Sequence, residues 1–362
     1  MNSNNTLQKS LLLIPDISGF TKFVNETEIV HGVHIIAELL EIIIKNNSLG
    51  LTVAEIEGDA VLFYKNGEKP SLKVIYEQCK KMFLAFHQHI KLYERDRICD
   101  CGSCSSTPDL TLKFIVHYGD IIERNILGHF QLMGADVTTA HKLMKNDIPN
   151  NEYILISENS FHESDTNNLP KWFTLKSHKT EYKDIGPISY HHESLTELLK
   201  EVPALTPRRK TDTSQPIQLS LNWKINHPIE TTFDLLTSLE RKHEWIDVKT
   251  INFDRNRIER IGSKHECITS LGTLQIETIQ NEKNSDTMIF SEFTSASGIF
   301  PSTTQTFKFQ KDGENSCMIL LEVRFKNSFF NNLIFKKMMI KALNKAIESL
   351  QEALNKKLLL KL

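Results

Sequence analysis

Apolar and polar positions follow two regimes along the chain. In the first half, short apolar runs alternate with helical stripes. Residues 11–14 form an uninterrupted apolar run of strand length, stopped by Pro15 and Asp16. Val30, Val33, Ile36, Leu39, Leu40 and Ile43 recur at helical steps, which predicts a helix over 28–45. Residues 51–57 and 60–64 read as strands on either side of Gly58-Asp59, a hairpin signal. A long amphipathic helix is predicted over 71–95, a strand over 110–118, a helix over 136–146 and a strand over 153–157. Strands and helices in this order, with a hairpin among them, predict an α/β or α+β domain.

The second half opens on strict alternation. Ile217, Leu219, Leu221, Trp223 and Ile225 point one way, and Gln218, Ser220, Asn222 and Lys224 the other, as in a half-buried antiparallel strand. A short helix is predicted over 229–239, then β-type runs to about residue 325. The chain closes with a long helix from about residue 328. Its positions Ile340, Leu343, Ile347, Leu350 and Leu354 form one stripe that must cover something apolar. Between the halves, Pro203, Pro207 and Pro216 flank the basic triplet Arg208-Arg209-Lys210 among small polar residues, a composition that opposes both helix and core. The expected organisation is therefore a first domain over 8–200, a linker over 201–215 and a second domain over 216–362.

Composition changes this picture only by exclusion. Hydrophobic residues make up 40% and charged residues 24% of 362, the balance of a soluble globular protein. A net charge of −2 gives no electrostatic reason to expect nucleic acid or an anionic membrane as partner. The apolar run after the polar start MNSNNTLQKS is too short for a signal core or a membrane span, and no later run is long enough. These features predict a cytoplasmic protein. Among the six cysteines, Cys99-x-Cys101-x-x-Cys104 stands out, and without a secretion signal metal ligation or free thiols are more natural than disulfides.

The candidate chemistry sits at the ends of strands. Asp16 follows the first apolar run directly, in Ile14-Pro-Asp-Ile-Ser-Gly-Phe-Thr21, and Asp59 tips the hairpin in Glu55-Ile-Glu-Gly-Asp-Ala60. Neighbouring strands would place both carboxylates together, where they repel unless a cation lies between them. Mg²⁺ suits such a pair, because it takes a few carboxylates and keeps positions for phosphate oxygens. Gly19 would let the backbone approach a phosphate. Asp and Gly-Asp at strand ends are also ordinary turn chemistry.

Four segments in order resemble the class III adenylyl and guanylyl cyclase domain: Asp16-Ile17-x-Gly19-Phe20-Thr21, Gly58-Asp59, Phe114-Ile-Val-His-Tyr-Gly119 and Gly134-Ala-Asp-Val-Thr-Thr-Ala-His-Lys142. They span about residues 10–190, in what resembles a divergent branch with a Cys-rich insertion. The resemblance implies a ferredoxin-like α+β fold, with Asp16 and Asp59 holding Mg²⁺ or Mn²⁺ and the Ile17 carbonyl assisting. It places Gly19, Phe20 and Thr21 at the nucleotide, Glu55 and Gln131 at the base, and a homodimer around the active site. Glu55 favours GTP, since a carboxylate accepts hydrogen bonds from guanine N1–H and N2–H₂. Gln131 is neither of the usual residues at its position, and Glu55 is equally readable as a solvated strand residue. Two departures bear on catalysis. The family's transition-state asparagine and arginine align with Thr138 and Lys142, which share a helix face but lack the guanidinium fork.

Three thiolates within six residues can wrap one Zn²⁺, whose tetrahedral shell wants four ligands. The fourth ligand is not evident, a histidine or a partner-chain residue being the options, and reduced or redox-active thiols remain alternatives. His87 and His89 read as helix-surface or core residues. The second domain resembles the START-related SRPBCC helix-grip superfamily. That implies a curved antiparallel sheet around a helix, with an apolar cavity for a hydrophobic small molecule or lipid. Phe290, Phe293, Phe300, Phe307 and Phe309 are candidates to line the cavity or fill the core. The sequence thus supports three functions. The first is a metal-dependent cyclase that converts a nucleoside triphosphate to a 3′,5′-cyclic nucleotide and pyrophosphate under control of a ligand-binding domain. The second is a non-catalytic nucleotide-binding or dimerising signalling protein, and the third a hydrophobic-ligand carrier.

Overall fold

The computed structural model describes residues 6–20, 23, 29–99, 101–161, 169–212, 214–270, 272–295, 301–326 and 334–359. Thr21 and Phe300 fall outside them. The chain divides into two compact units, Met1–Arg95 with Cys99–Leu205, and Asp96–Ile98 with Thr206–Leu362. No helix among the described residues is long and apolar enough to cross a membrane.

The first unit is built on an eight-stranded mixed sheet. Its strands are β1 (Gln8–Ser18), β2 (Thr52–Glu57), β3 (Ala60–Asn66), β4 (Thr111–Ile126), β5 (His129–Met133), β6 (Tyr153–Ser157), β7 (Lys176–Tyr182) and β8 (Gly186–Ser194). They run in the order β2-β3-β1-β4-β6-β8-β7, with β5 paired to β4 beside this path. Only β4 and β6 pair in parallel; the other neighbours are antiparallel. The apolar run of β1 makes it a central strand buried on both faces. Leu12 and Ile14 join one cluster with Leu62, Ile115 and Leu155, while Leu11 and Leu13, on the other face, are equally buried.

Among the described residues, the α-helices that accompany this sheet include α1 (Ile29–Lys45), α2 (Leu72–Asp96), the one-turn α3 (Gly102–Ser106) and α4 (Ala135–Leu143). α1 buries Ile35, Leu39 and Ile43, and α2 buries Ile75, Met82, Phe83, Phe86 and Ile90. Glu38 of α1 meets His89 of α2 at 2.9 Å, and His87 of α2 lies 2.9 Å from Glu152. Both histidines are core residues. α4 packs Val137, Ala140 and Leu143 on the sheet.

Two glycine motifs hold α4 in place. Asp136 accepts a hydrogen bond from the Asp120 N–H at 2.6 Å and meets His117 Nε2 at 2.9 Å, while His117 Nδ1 reaches Ser157 Oγ at 2.7 Å. A Cβ at Gly119 would collide with the Asp136 carboxylate, and one at Gly134 would stand 2.9 Å from the Asp120 carbonyl. Glycine is thus required at both positions so that the start of α4 can press against β4.

Among the described residues, the second unit is a seven-stranded, wholly antiparallel sheet with two α-helices. Its elements are β9 (Ile217–Ile225), α5 (Ile229–Thr237), β10 (Thr250–Asn252), β11 (Lys264–Thr269), β12 (Gly272–Lys283), β13 (Thr287–Thr294), β14 (Thr303–Lys311), β15 (Cys317–Phe325) and α6 (Lys336–Leu359). The strand order β10-β11-β12-β13-β14-β15-β9 returns the first strand to pair with the last. Ile347, Leu350 and Leu354 of α6 are buried in one cluster with Phe233, Phe290, Phe309 and Phe325.

The structure moves several expected boundaries. The closing α-helix is described from Lys336, after a π-helical turn at 334–335, and its expected start near residue 328 lies outside the described residues. β4 runs on to Ile126 and folds back as β5, and β7 and β8 add a hairpin. All three strands are poor in apolar alternation, and β5 and β7 are largely exposed, so the pattern carried no sign of them.

Candidate functional site

β1 delivers Asp16 between two partners. Across one edge Asp16 is in register with Ala60 of β3, and across the other with Lys113 of β4. Asp59 immediately precedes Ala60, in the turn between β2 and β3, where Gly58 takes the left-handed φ of 59°. The Ile17 N–H donates to the Asp59 carbonyl at 3.0 Å, which locks the turn to the strand end. In an antiparallel ladder a residue presents its N–H and C=O to the same edge, so the Ile17 carbonyl also faces this hairpin. Register and the turn thus bring the backbone of Asp16, Ile17 and Asp59 to one strand end, the three positions that the cyclase resemblance implies for a divalent cation.

Electrostatics reports the same proximity. Asp59 is half-buried, and its pKa is pushed up to about 6, first by desolvation and then by the charge of Asp16. Asp16 is buried and is likewise raised by desolvation. It is partly relieved by Lys113, whose Nζ lies 3.1 Å from Asp16 Oδ2. A buried carboxylate whose charge penalises the ionisation of its neighbour forms a site for which a divalent cation has an evident advantage. Their hard oxygen donors fit Mg²⁺ or Mn²⁺. Protons and cation compete for Asp59. Mn²⁺ affinity, followed by isothermal titration, is therefore expected to fall by up to about tenfold per pH unit as pH drops through 6.

Gly19, just beyond β1, adopts a φ of 91° and packs against the Asp109 carbonyl and Leu110. The Phe20 ring lies over Gly58, 3.7 Å from where a Cβ would stand. Glu55 lies on β2 and Gln131 on β5, both exposed. A register shift between Val53 and Glu55 sets Glu55 opposite Leu62. Thr138 and Lys142 share a face of α4, one turn apart, but their contacts lie elsewhere. Thr138 Oγ1 turns back to the Gly134 carbonyl at 3.4 Å, and Lys142 Nζ pairs with Asp184 at 3.0 Å. Of the α4 side chains, His141 points towards the hairpin, with Nδ1 3.9 Å from Glu57 Oε2.

The cysteine cluster gains a member that the sequence did not single out. His31, in the first turn of α1, places Nδ1 3.3 Å from Cys101 Sγ and 3.6 Å from both Cys99 Sγ and Cys104 Sγ. The four ligand atoms all lie within 4.8 Å of one another, an arrangement compatible with structural Zn²⁺. The thiols hold one another's protons unequally. A hydrogen bond with Cys104 draws Cys99 down to about 4, and the same contact pushes Cys104 up.

The second unit contains a cavity of about 390 Å³, lined mainly by apolar groups such as Trp245, Ile246, Phe307, Phe335 and Met339. Its wall carries two charged pairs, the buried Lys242 and Glu292 at 2.6 Å and the exposed Lys345 and Asp247 at 2.9 Å. Of the phenylalanines expected to line it, Phe307 does so. Phe290 and Phe309 fill the core instead, and the Phe293 ring takes the Arg209 guanidinium at 4.0 Å.

Residues 36–153 match a family described as "Protein of unknown function (DUF2652)". An uncharacterized protein of Mycobacterium tuberculosis, Rv2561/Rv2562, is 29% identical over 171 residues, covering 47% of this chain and 77% of that one. Among solved structures, the chain is similar to class III cyclase catalytic domains over about half its length. The guanylate cyclase domain of RhGC from Catenaria anguillulae in complex with GTP is 16% identical at a TM-score of 0.37, covering 52% of this chain and 97% of that one. The adenylyl cyclase CyaB from P. aeruginosa is 15% identical at a TM-score of 0.35, covering 52% and 95%. The protein MLL2253 from Mesorhizobium loti is 15% identical at a TM-score of 0.31, covering 38% and 98%.

Proposed function

We propose that the first unit is a divalent-cation-dependent nucleotidyl cyclase, acting on a nucleoside triphosphate with a preference for GTP. The observation that carries this reading is the convergence of Asp16 and Asp59 at one strand end, close enough for the charge of Asp16 to raise Asp59. Asp16, Asp59 and the Ile17 carbonyl would hold Mg²⁺ or Mn²⁺, which when bound activates the 3′-hydroxyl and neutralises the triphosphate. Gly19, with its left-handed backbone, lets main-chain amides approach the phosphates. Exposed Glu55 accepts the two guanine N–H groups, and Gln131 adds a second polar group at the base.

Lys142 and Thr138 supply a charge and a hydroxyl for the developing negative charge, with Lys142 released from Asp184 to do so. Within one chain their contacts are with Gly134 and Asp184 rather than with the carboxylates. The reading therefore requires a homodimer, in which α4 of one copy faces Asp16 and Asp59 of the other. The antiparallel sheet closed by its first strand and the long last helix support reading the second unit as an SRPBCC-type helix-grip domain, whose cavity would admit a hydrophobic small molecule or lipid that tunes the first unit.

The test is turnover of each nucleoside triphosphate by the purified chain with Mn²⁺ or Mg²⁺, read by chromatography of the products. Cyclic nucleotide formed by the native chain and lost in Asp16→Ala is the expected result. Metal-dependent nucleotide binding without product would favour a non-catalytic nucleotide sensor, a reading to which the missing guanidinium fork at Lys142 lends weight. If nucleotide neither binds nor reacts while extracted protein carries a hydrophobic molecule, the cyclase reading fails and a carrier replaces it.

A further inference from the structure

We propose that Cys99, Cys101, Cys104 and His31 bind one Zn²⁺ in a closed, structural site that fastens the cysteine loop to the first turn of α1. The proposal is independent of the nucleotide chemistry. Its first support is the donor set. Three thiolates and one imidazole complete a tetrahedral shell, and a shell filled by four protein ligands leaves no position for a reacting water. The second support is geometric. With Zn–S of about 2.3 Å and Zn–N of about 2.0–2.1 Å, a tetrahedron has N···S edges of about 3.6 Å. The three distances from His31 Nδ1 are 3.3, 3.6 and 3.6 Å. Three sulfurs arranged around one ring nitrogen at this spacing form three edges of that tetrahedron.

The loop also needs such a fastening. Cys101 caps α3 with no side-chain hydrogen bond, and α3 has only five residues. A helix of one turn does not persist by its own hydrogen bonds. Cys104 is fully buried, while Cys99, Cys101 and His31 are half-buried, so the ligands lie at the edge of the unit rather than deep in its core. Zn²⁺ would tie His31 to cysteines 68 to 73 residues away and so remove much of the unfolded chain's freedom, as a disulfide across a long loop does.

The fastening reaches the strand end that carries Asp16. The segment that begins with the cysteines continues through Asp109 and Leu110, and these two residues pack against Gly19. The same segment is thus held at His31 by the metal and touches Gly19 at its other end. Both described ends of the connection from β1 to α1 rest on it.

Metal analysis of the full chain, purified without chelator from zinc-supplemented cells, is expected to give one Zn²⁺ per chain. Co²⁺ exchanged into the site is expected to show tetrahedral d–d bands and thiolate-to-cobalt charge transfer. His31→Ala and Cys101→Ser should each weaken zinc by about 100-fold or more. His31→Cys should keep the metal and shift the cobalt spectrum to that of four thiolates. Well under one Zn²⁺ per chain, with no cobalt bands, would overturn the site. An unchanged cobalt spectrum in His31→Cys would remove His31 from the shell even if the other variants fail to fold. None of these readouts involves nucleotide, so the zinc site and the cyclase reading stand or fall separately.

Discussion

Replacing Asp59 by asparagine is expected to stabilise the metal-free protein while removing divalent-cation-dependent nucleotide turnover. The two effects have one cause. In the folded chain the Asp59 carboxyl is raised to about 6 from an ordinary 3.8, by burial first and by the Asp16 charge second. Between these values the folded state binds more protons than the unfolded state, so stability falls as pH rises through this window. At pH 7 the ionised group is a net cost. The raw shift corresponds to nearly 3 kcal/mol, but Asp59 is about half-exposed, and screening by solvent leaves about 1 kcal/mol. For a unit of this size that is a rise of roughly 2–4 °C in Tm. The Asp59→Asn variant would keep the turn, because the Ile17 N–H bonds to the backbone carbonyl and not to the side chain.

Asparagine cannot bring the second negative charge that a divalent cation requires, so turnover should fall by about 10³-fold or more. Melting curves across pH 4–8 read the first effect and product formation reads the second. If Asp59 is only a turn residue, the substitution will leave any nucleotide turnover untouched. If stability drops, the carboxylate pair is not under the strain assigned to it.

The carboxylate pair was legible in the sequence because both members lie at places the pattern marks, a strand end and a Gly-Asp turn. The antiparallel pairing of β1 with β3 then brings the Asp59 turn beside the end of β1, within reach of the Asp16 charge. Lys113 was not legible. It is one charge inside the apolar run 112–116, and its meaning depends on the β1–β4 register that sets it opposite Asp16. His31 escaped for a similar reason. It lies 68 residues before Cys99, and nothing local distinguishes it from His34. Thr138 and Lys142 share one helix face, as their spacing predicts, but a face says nothing about direction, and Lys142 is turned to Asp184. Gly119 and Gly134 looked like parts of nucleotide motifs. In the structure both make room at the start of α4, where the Asp136 carboxylate comes against Gly119 and the Asp120 carbonyl against Gly134.

The second large effect is expected at a place no sequence pattern marks, the buried pair Lys242 and Glu292. The ammonium lies 2.6 Å from Glu292 Oε1 and 3.1 Å from His265 Nε2, and all three side chains are almost wholly buried. Burial first, and the Lys242 charge second, lower His265 to about 4, so at neutral pH it is uncharged and accepts the lysine's proton through Nε2. Lys242→Met leaves Glu292 buried without its cation, which is expected to cost about 3–5 kcal/mol. Removing both charges, in Lys242→Met with Glu292→Met, should recover most of the loss, because an apolar pair carries no desolvation penalty. Denaturant unfolding of the full chain in a Trp172→Phe background, followed by Trp223 and Trp245, reads the second unit alone.

pH then separates this account from simple loss of packing. In the native chain His265 binds its proton less readily than when unfolded, so its contribution is fully present above 6.5 and is lost as pH falls towards 4. Without Lys242 one cause of that depression is gone, while Glu292, 3.8 Å away, pulls the imidazole pKa up. Protonated His265 would then replace the missing cation, so the deficit of Lys242→Met should shrink as pH falls below 6. A deficit that stays constant or grows over that range would mean that Lys242 matters for its methylene stem and not for its charge.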